Sequence, residues 1–519
     1  MKMGRKNTYR KALVFGIIFI FFGIGSIENT FVSIGKSDDI SYKIDESTLD
    51  VNYIYNITKA LSYIIYTEYD EENGEIARGR WFGTKGEHKA AEILYENMTK
   101  LGLYTTMEQI KNIEKIGRPD LSKLTHEIQI LEYGLKINDE TIVDFHITPS
   151  TKGPRENPNQ LDYNFSYKGL KVILKPKFLL PWKITNLLSE KEDFVFIELE
   201  KSFYPEYRTP IKKFLSRFIS PLSKPLMFGL KYIKHKPEKT RLYYFSPHCK
   251  GIIRYDPNDY TYNQGSLGEK VPIIYINGTI GKKILDDIEH ASVGFYLNQT
   301  FNDSVISYNV IGQLNGTDPT KTVIVDCLYD SWWCQGTADA AIGMAMVLGV
   351  AKYFVDNNIK PKYNIKFIGF GGEEAGVRGA FYYEAAHKDE NIVYVIDLNQ
   401  ICFWQNGPRL TLNVIFNKMS FLKEMWKIVE KTDYKEITKD TADIKSVWLP
   451  AGAPSDDQAF AIFRPGVKTV CFLKDTGWLF HHRDGLGHTE GDVLKYFDWD
   501  DARATGEIVV NVTKYLTVD

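Results

Sequence analysis

Cysteine is scarce in this chain: Cys249, Cys327, Cys334, Cys402 and Cys471 are all there is in 519 residues. Their number is odd and no two stand as C-x-x-C, so no disulfide framework can be read from them. An excess of one charge is missing too. Lysine and arginine total 64 against 66 aspartates and glutamates, a net of −2, and nothing global points to a nucleic acid partner. At this length the chain is expected to hold more than one domain, since domains usually run about 100–200 residues.

A clear A-x-A cleavage site is also absent from the amino-terminal end. What is there is a charge-then-apolar order. Lys2, Arg5, Lys6, Arg10 and Lys11 precede the uncharged, mostly apolar residues 12–27. That order reads as an export signal or an N-terminal anchor over residues 1–34. The apolar stretch is short of the roughly 20 residues that span a bilayer unless residues 31–34 are counted. Cleavage and retention both stay open. N-x-S/T sequons at Asn56, Asn97, Asn164, Asn277, Asn298, Asn302, Asn315 and Asn511 agree with export and a glycosylated surface. The expectation is an extracellular or cell-surface protein.

The chemistry gathers between Thr322 and Asp397. Three short apolar runs, residues 323–325, 365–370 and 393–396, each end in acids: Asp326 and Asp330, Glu373 and Glu374, and Asp397. Continuous apolar runs separated by helical patterns predict buried strands of a parallel sheet. Ligands in such sheets bind beyond the carboxyl ends of the strands. Asp339 follows in the small-residue run GTADAAIG near the start of the next helix, and His488 stands far downstream in GHTEGD. Carboxylates with a histidine at strand ends suit zinc or another divalent metal.

These motifs resemble the zinc aminopeptidase family of bacterial leucyl aminopeptidase and glutaminyl cyclase, a clan of metallopeptidases. The family pattern runs HxDS, GADDNASG, a strand ending GEExG, a strand ending in Asp, an SDH element and a closing HT. Its likeness covers most of residues 53–103 and 308–516. The resemblance implies an α/β fold with a mixed, mostly parallel central sheet and helices on both faces. It implies that Asp339 bridges two zincs, Glu373 is the general base, and Glu374 and His488 are ligands of one zinc. Asp397 then belongs to the other zinc, and Asp330 orients the first histidine. That histidine is missing, because LYDS places Leu328 at its position. SDD at Ser455, Asp456 and Asp457 replaces SDH beside the substrate amine pocket. One firmly bound zinc is therefore expected, with Asp330 turning to backbone or water.

Residues 50–125 form the first part of this domain, where RGRWFGTKGEHKAAEILYENMTKLGL resembles the family's opening turn and helix. His88 on that helix reads as a surface residue, not a ligand. Residues 126–305 change to short strands and resemble an inserted protease-associated domain. Within them residues 204–239 carry nine lysines and arginines among Phe, Leu, Ile and Tyr. Such a stretch can lie on an anionic membrane surface, or present a solvated basic face. Residues 306–519 complete the main domain, with strands at 410–416 and 467–473, a helix near 421–431 and a last helix at about 499–516. His481 and His482 lie near His488, and Cys334 lies near the site. These are the alternatives for the missing ligand. The reading is an exported zinc hydrolase that removes amino-terminal residues from peptides. A non-catalytic peptide-binding descendant and a one-zinc acyltransferase of the cyclase kind are the alternatives.

Overall fold

The computed structural model describes residues 49–64, 79–113, 121–142, 145–148, 161–168, 171–172, 194–198, 251–255, 273–286, 291–332, 334–403, 410–439, 442–475 and 492–518. Residues 12–27 and 204–239, Cys249, His481, His482 and His488 lie outside them.

Two helices open the fold, α1 (Val51–Ser62) and α2 (Lys85–Lys100). Each starts on a side-chain cap. Asp50 accepts from the Tyr53 N–H at 3.0 Å, and Thr84 from the Glu87 N–H at 3.3 Å. Glu87 reaches back to the Gly83 N–H at 2.6 Å, a close relative of the capping box. The strand β1 (Tyr104–Gln109) follows.

The insertion then supplies β2 (Glu127–Ile137), β3 (Glu140–Ile142), β4 (Phe145–Thr148), β5 (Leu161–Lys168) and β6 (Lys171–Val172). It continues with β7 (Phe194–Glu198), β8 (Gly251–Tyr255), β9 (Ile273–Ile276), helix α3 (Gly278–Asp286) and β10 (Ser292–Asn302). These strands make two sheets, ordered β3-β2-β10-β5 and β4-β9-β8-β7-β6. Leu135, Ile137, Ile253, Ile274, Val293 and Phe295 belong to a core cluster distinct from that of the main sheet.

The main sheet is built from the acid-tipped strands. They are β11 (Tyr308–Leu314), β12 (Asp318–Leu328), β13 (Tyr363–Phe370) and β14 (Ile392–Leu398), then β15 (Leu410–Phe416), β16 (Ala442–Trp448) and β17 (Lys468–Asp475). Their order is β1-β11-β13-β12-β14-β17-β15-β16. The pairs β12–β13, β12–β14, β14–β17 and β15–β16 are parallel, and the outer pairs β1–β11, β11–β13 and the pair β15–β17 are antiparallel. The expected mixed, mostly parallel sheet is present. β16 is absent from the sequence reading: ADIKSVW mixes charges into an edge strand that is only half buried.

Helices cover both faces. α4 (Ile342–Asp356) packs on one, with α1 and the last helix α9 (Trp499–Thr517) beyond it. Being covered on all sides, α4 is apolar all round. It is long and apolar enough to cross a membrane by composition, but it is mostly buried in the fold. Helix α6 (Met419–Val429) and the short α7 (Tyr434–Ile437) pack with α9. The opposite face takes α5 (Arg378–Ala386) and α8 (Asp457–Phe463), whose Ala380, Tyr383 and Phe460 meet Ile324, Ile368 and Val395. Burying each such large side chain contributes about 1.5–3 kcal/mol.

Candidate functional site

The parallel strands β12, β13 and β14 end side by side, and the turns that leave them carry the acids. After β12 the chain folds back through residues 329–336, held by the buried guanidinium of Arg80. It donates to the carbonyls of Tyr329 at 2.7 Å, Gln335 at 2.7 Å, Gly336 at 3.0 Å and Leu61 at 3.0 Å. The Arg80 N–H also donates to Ser331 Oγ at 3.0 Å. Arg80 opens the R-x-x-GT-x-G turn, but its role as a clamp is visible only once the two segments meet. Gly336 sits at φ +55°, where a Cβ would come within 2.4 Å of the Ser331 Cβ.

Leu328 is fully buried in the main core and offers no donor atom. Two residues on, the Asp330 carboxylate accepts the Glu373 and Glu374 N–H groups, both at 3.1 Å. Those two bonds fix the turn after β13. Gly372 enters it at φ +72°, and the Glu373 carbonyl accepts from Gly376 and Val377 at 2.8 Å. Arg378 ends the turn. It donates to the Leu124 and His126 carbonyls and pairs with Glu127 Oε2 at 2.5 Å, so the start of β2 is tied to the turn after β13.

Asp339 lies just ahead of α4 rather than inside it, with φ −117° and ψ 85° and a cis peptide to Ala340. The reason is a partner the sequence reading did not assign. Asp492, the last residue of HTEGD, accepts the Ala338 N–H at 2.6 Å and the Asp339 N–H at 3.1 Å. Gln400 Nε2 donates to Asp339 Oδ2 at 2.7 Å.

Asp397 ends β14 directly beside Asp326 of β12. Asp456, from the turn before α8, completes a group of three: one oxygen from each lies within 4.8 Å of the other two. All three residues are fully buried; Asp397 is approached by Ser455, Cys471 and the Asp457 N–H, while the carboxylates of Asp326 and Asp456 have no partner outside the group. Ser455 and Asp457 are engaged in the fold. Ser455 Oγ accepts from Asn399 at 2.9 Å, and Asp457 accepts from the Ala453 N–H at 2.9 Å and Thr469 Oγ1 at 2.7 Å. His88 Nε2 bonds the Ile306 carbonyl at 2.7 Å. Cys334 packs with Trp81, Phe82 and Trp332.

Electrostatics follow from crowding. Burial, then Glu374, push the Glu373 carboxyl well above the usual range, and Asp456, Asp330 and Asp339 add to it. Burial and Glu374 push Asp330 up to about 8, against the pull of its two N–H bonds and Arg80. Burial takes Asp492 to about 7. Asp326 and Asp456 rise for the same first reason, with Asp397 the next largest influence on each. Arg80 is the buried cation that faces this group among the described residues, and it pulls on Asp330 and Asp492. So many buried acids against one arginine require protons or bound cations. The donor set, all carboxylate here with a matching histidine in the sequence, fits a divalent metal.

The comparisons agree with this geometry. Residues 309–513 match the profile of Peptidase family M28. Carboxypeptidase Q of Xenopus laevis is 30% identical over 156 residues, 28% of this chain and 32% of that protein. The match thus spans about a third of that relative's length. A zinc aminopeptidase from Bacillus subtilis superposes with a TM-score of 0.59 at 16% identity, over 91% of this chain and 96% of that one. A peptidase M28 precursor from Shewanella amazonensis gives 0.56 at 15% identity, over 89% and 92%. At those identities the likeness to the solved structures is one of fold. Strand-end acids, sheet order and matched profile converge on one statement: residues 309–513 of this chain are a peptidase family M28 domain.

Proposed function

We propose that the chain is an exported zinc-dependent hydrolase that removes amino-terminal residues from peptides. The observation that carries this is the pairing of Glu373 and Glu374 on one turn. Their N–H groups are fixed by Asp330, and Asp339 is held nearby by Asp492 and Gln400. Asp339 and Glu374 would hold zinc, with His488 assigned from its HT motif. Zinc so held supplies Lewis acidity and lowers the pKa of water to near 7. Glu373 keeps some exposure. Its carboxylate takes the proton of the attacking water and returns it to the departing amine. A carboxyl raised by burial and like charge suits both halves of that exchange.

A single zinc is the reading favoured by Leu328, which is buried and apolar, and by Gln400, which engages one oxygen of Asp339. Export is supported by the sequence order at the amino terminus and by exposed sequon asparagines such as Asn56 and Asn315. The β-rich insertion is read as a protease-associated-like module that shapes access, linked to the site through Arg378 and Glu127. The basic stretch 204–239 is read as a solvated basic face, with contact to an anionic membrane surface as the alternative.

The test uses aminoacyl p-nitroanilides with free and acetylated amino groups. Free-amine substrates turn over, acetylated ones do not, and Glu373→Gln lowers the rate about 10²–10⁴-fold with zinc content kept. Absence of turnover in the zinc-loaded protein would favour a peptide-binding descendant. Cyclisation of an amino-terminal glutamine peptide would favour the acyltransferase.

A further inference from the structure

Asp339 and Asp397 are buried carboxylates on different segments, and Leu328 offers no donor atom to either. Polar side chains join them instead. The chain leaving β14 turns through Asn399 and Gln400, which are only 5% and 6% exposed. Gln400 Nε2 donates to Asp339 Oδ2 at 2.7 Å, and the Gln400 N–H donates to Asn399 Oδ1 at 2.6 Å. Asn399 Nδ2 donates to Ser455 Oγ at 2.9 Å, and Ser455 in turn hydrogen-bonds Asp397. We propose that Gln400 is a positioning residue for Asp339, and that the bridge Gln400–Asn399–Ser455 ties Asp339 to Asp397 in place of a second cation. The proposal rests on the zinc position assigned above to Asp339, Glu374 and His488.

Three observations carry the proposal. The first is direction. An ionised carboxylate only accepts, so Gln400 must present its NH2 group to Asp339. Asn399 must turn its oxygen to the Gln400 N–H, which aims its own NH2 group at Ser455. Ser455 Oγ accepts there, and its proton goes to Asp397. Each amide is thus oriented by its neighbours, and each end of the bridge donates to a carboxylate. The second is rigidity. The Asn399 N–H donates to the Phe472 carbonyl at 3.0 Å, and the Lys474 N–H to the Gln400 carbonyl at 2.7 Å. Both partners lie on β17, so the backbone of the bridge is fixed to the main sheet.

The third observation is what the bridge holds. Asp492 already fixes the Asp339 N–H at 3.1 Å, so a second bond at Oδ2 leaves the carboxyl little freedom to turn. A carboxylate oriented before the metal arrives binds it more tightly, and supporting partners of this kind are worth about 10–100-fold in metal affinity. A neutral amide gives that support without adding a charge to a crowd of buried acids. Ser455 then serves Asp339 through Asn399 and Gln400 rather than meeting the substrate amine.

The experiment measures the zinc Kd of the folded full-length chain by competition with a chromogenic chelator, and kcat and KM on a free-amine p-nitroanilide in excess zinc. Gln400→Met keeps the side chain's length and removes its donor. It should raise the zinc Kd about 10–100-fold and lower kcat while KM holds. Asn399→Ala should change both in the same direction by less. The double variant should lose no more zinc affinity than Gln400→Met alone, because the two residues act along one path. An unchanged zinc Kd in folded Gln400→Met would overturn the proposal, as would additive losses in the double variant. A raised KM with kcat intact would overturn it too, by moving Gln400 to the substrate. A parent that binds zinc without turning over substrate would defeat the hydrolytic reading alone, since the Kd comparison still decides this one. A parent that binds no zinc would defeat both.

Discussion

Asp330→Asn changes stability with a sign that depends on the metal. In the folded chain this carboxyl lies at about 8, whereas the unfolded chain releases its proton at the ordinary carboxylate pH of about 4. At pH 7 without metal, folding must therefore retain a proton that the unfolded state has lost. That linkage costs on the order of 4 kcal/mol. Asparagine carries no such cost. It does lose something: its single carbonyl oxygen must serve the Glu373 and Glu374 N–H groups that two oxygens now accept. The protonated carboxyl makes neutral bonds, and one of those is worth about 0.5–1.5 kcal/mol. In EDTA the variant should thus be more stable than the parent by on the order of 2.5–3.5 kcal/mol, the difference of those two terms. Zinc beside Glu374 adds positive charge, makes ionised Asp330 favourable, and leaves the lost hydrogen bond to dominate. The variant should then be less stable by about 1.5–3 kcal/mol. Urea denaturation at pH 7 with EDTA or with zinc measures both. The same sign in the two conditions would refute the reasoning.

The remaining predictions concern the supports of the site. Arg80→Ala strands the carbonyls of Leu61, Tyr329, Gln335 and Gly336 and should cost about 4 kcal/mol or more. Arg80→Lys should not rescue it, because an ammonium lacks the planar fork; denaturation midpoints decide. In EDTA, the folded chain holds the Asp492 proton up to about pH 7 while the unfolded chain releases it near 4. Stability should therefore fall as pH rises through that window, and Asp492→Asn should flatten the slope; denaturation at pH 4.5, 6 and 7.5 checks it. Leu328→His should raise bound zinc from one toward two per chain by elemental analysis, since Leu328 lies two residues beyond the register partner of Asp397 on the adjacent strand. A content that stays at one would show that Gln400 alone bars the second ion.

The acid-tipped strands were legible because parallel strands buried on both faces read as unbroken apolar runs. Residues 323–325, 365–370 and 393–396 all fall inside strands of the main sheet. Asp339 was placed near the start of a helix by its small-residue run, and the structure puts it just before α4. Three things were hidden for physical reasons. Sequence order does not say that β12 lies between β13 and β14, so the pairing of Asp326 with Asp397 could not be foreseen. Asp492 and Gln400 act through contacts 153 and 61 residues away in the chain, and no periodicity marks such partners. β16 lacked an apolar pattern because it is an edge strand, only half covered. His488 remains a sequence assignment, since it lies outside the described residues.

The central claim is that Asp339 and Glu374 hold one zinc while Glu373 does the proton work. Elemental analysis of the purified full-length chain tests it most directly when three proteins are measured together. The account predicts about one zinc per chain in the parent and in Glu373→Gln, and none in Glu374→Ala. Equal loss of zinc in both variants, or equal retention, would contradict it.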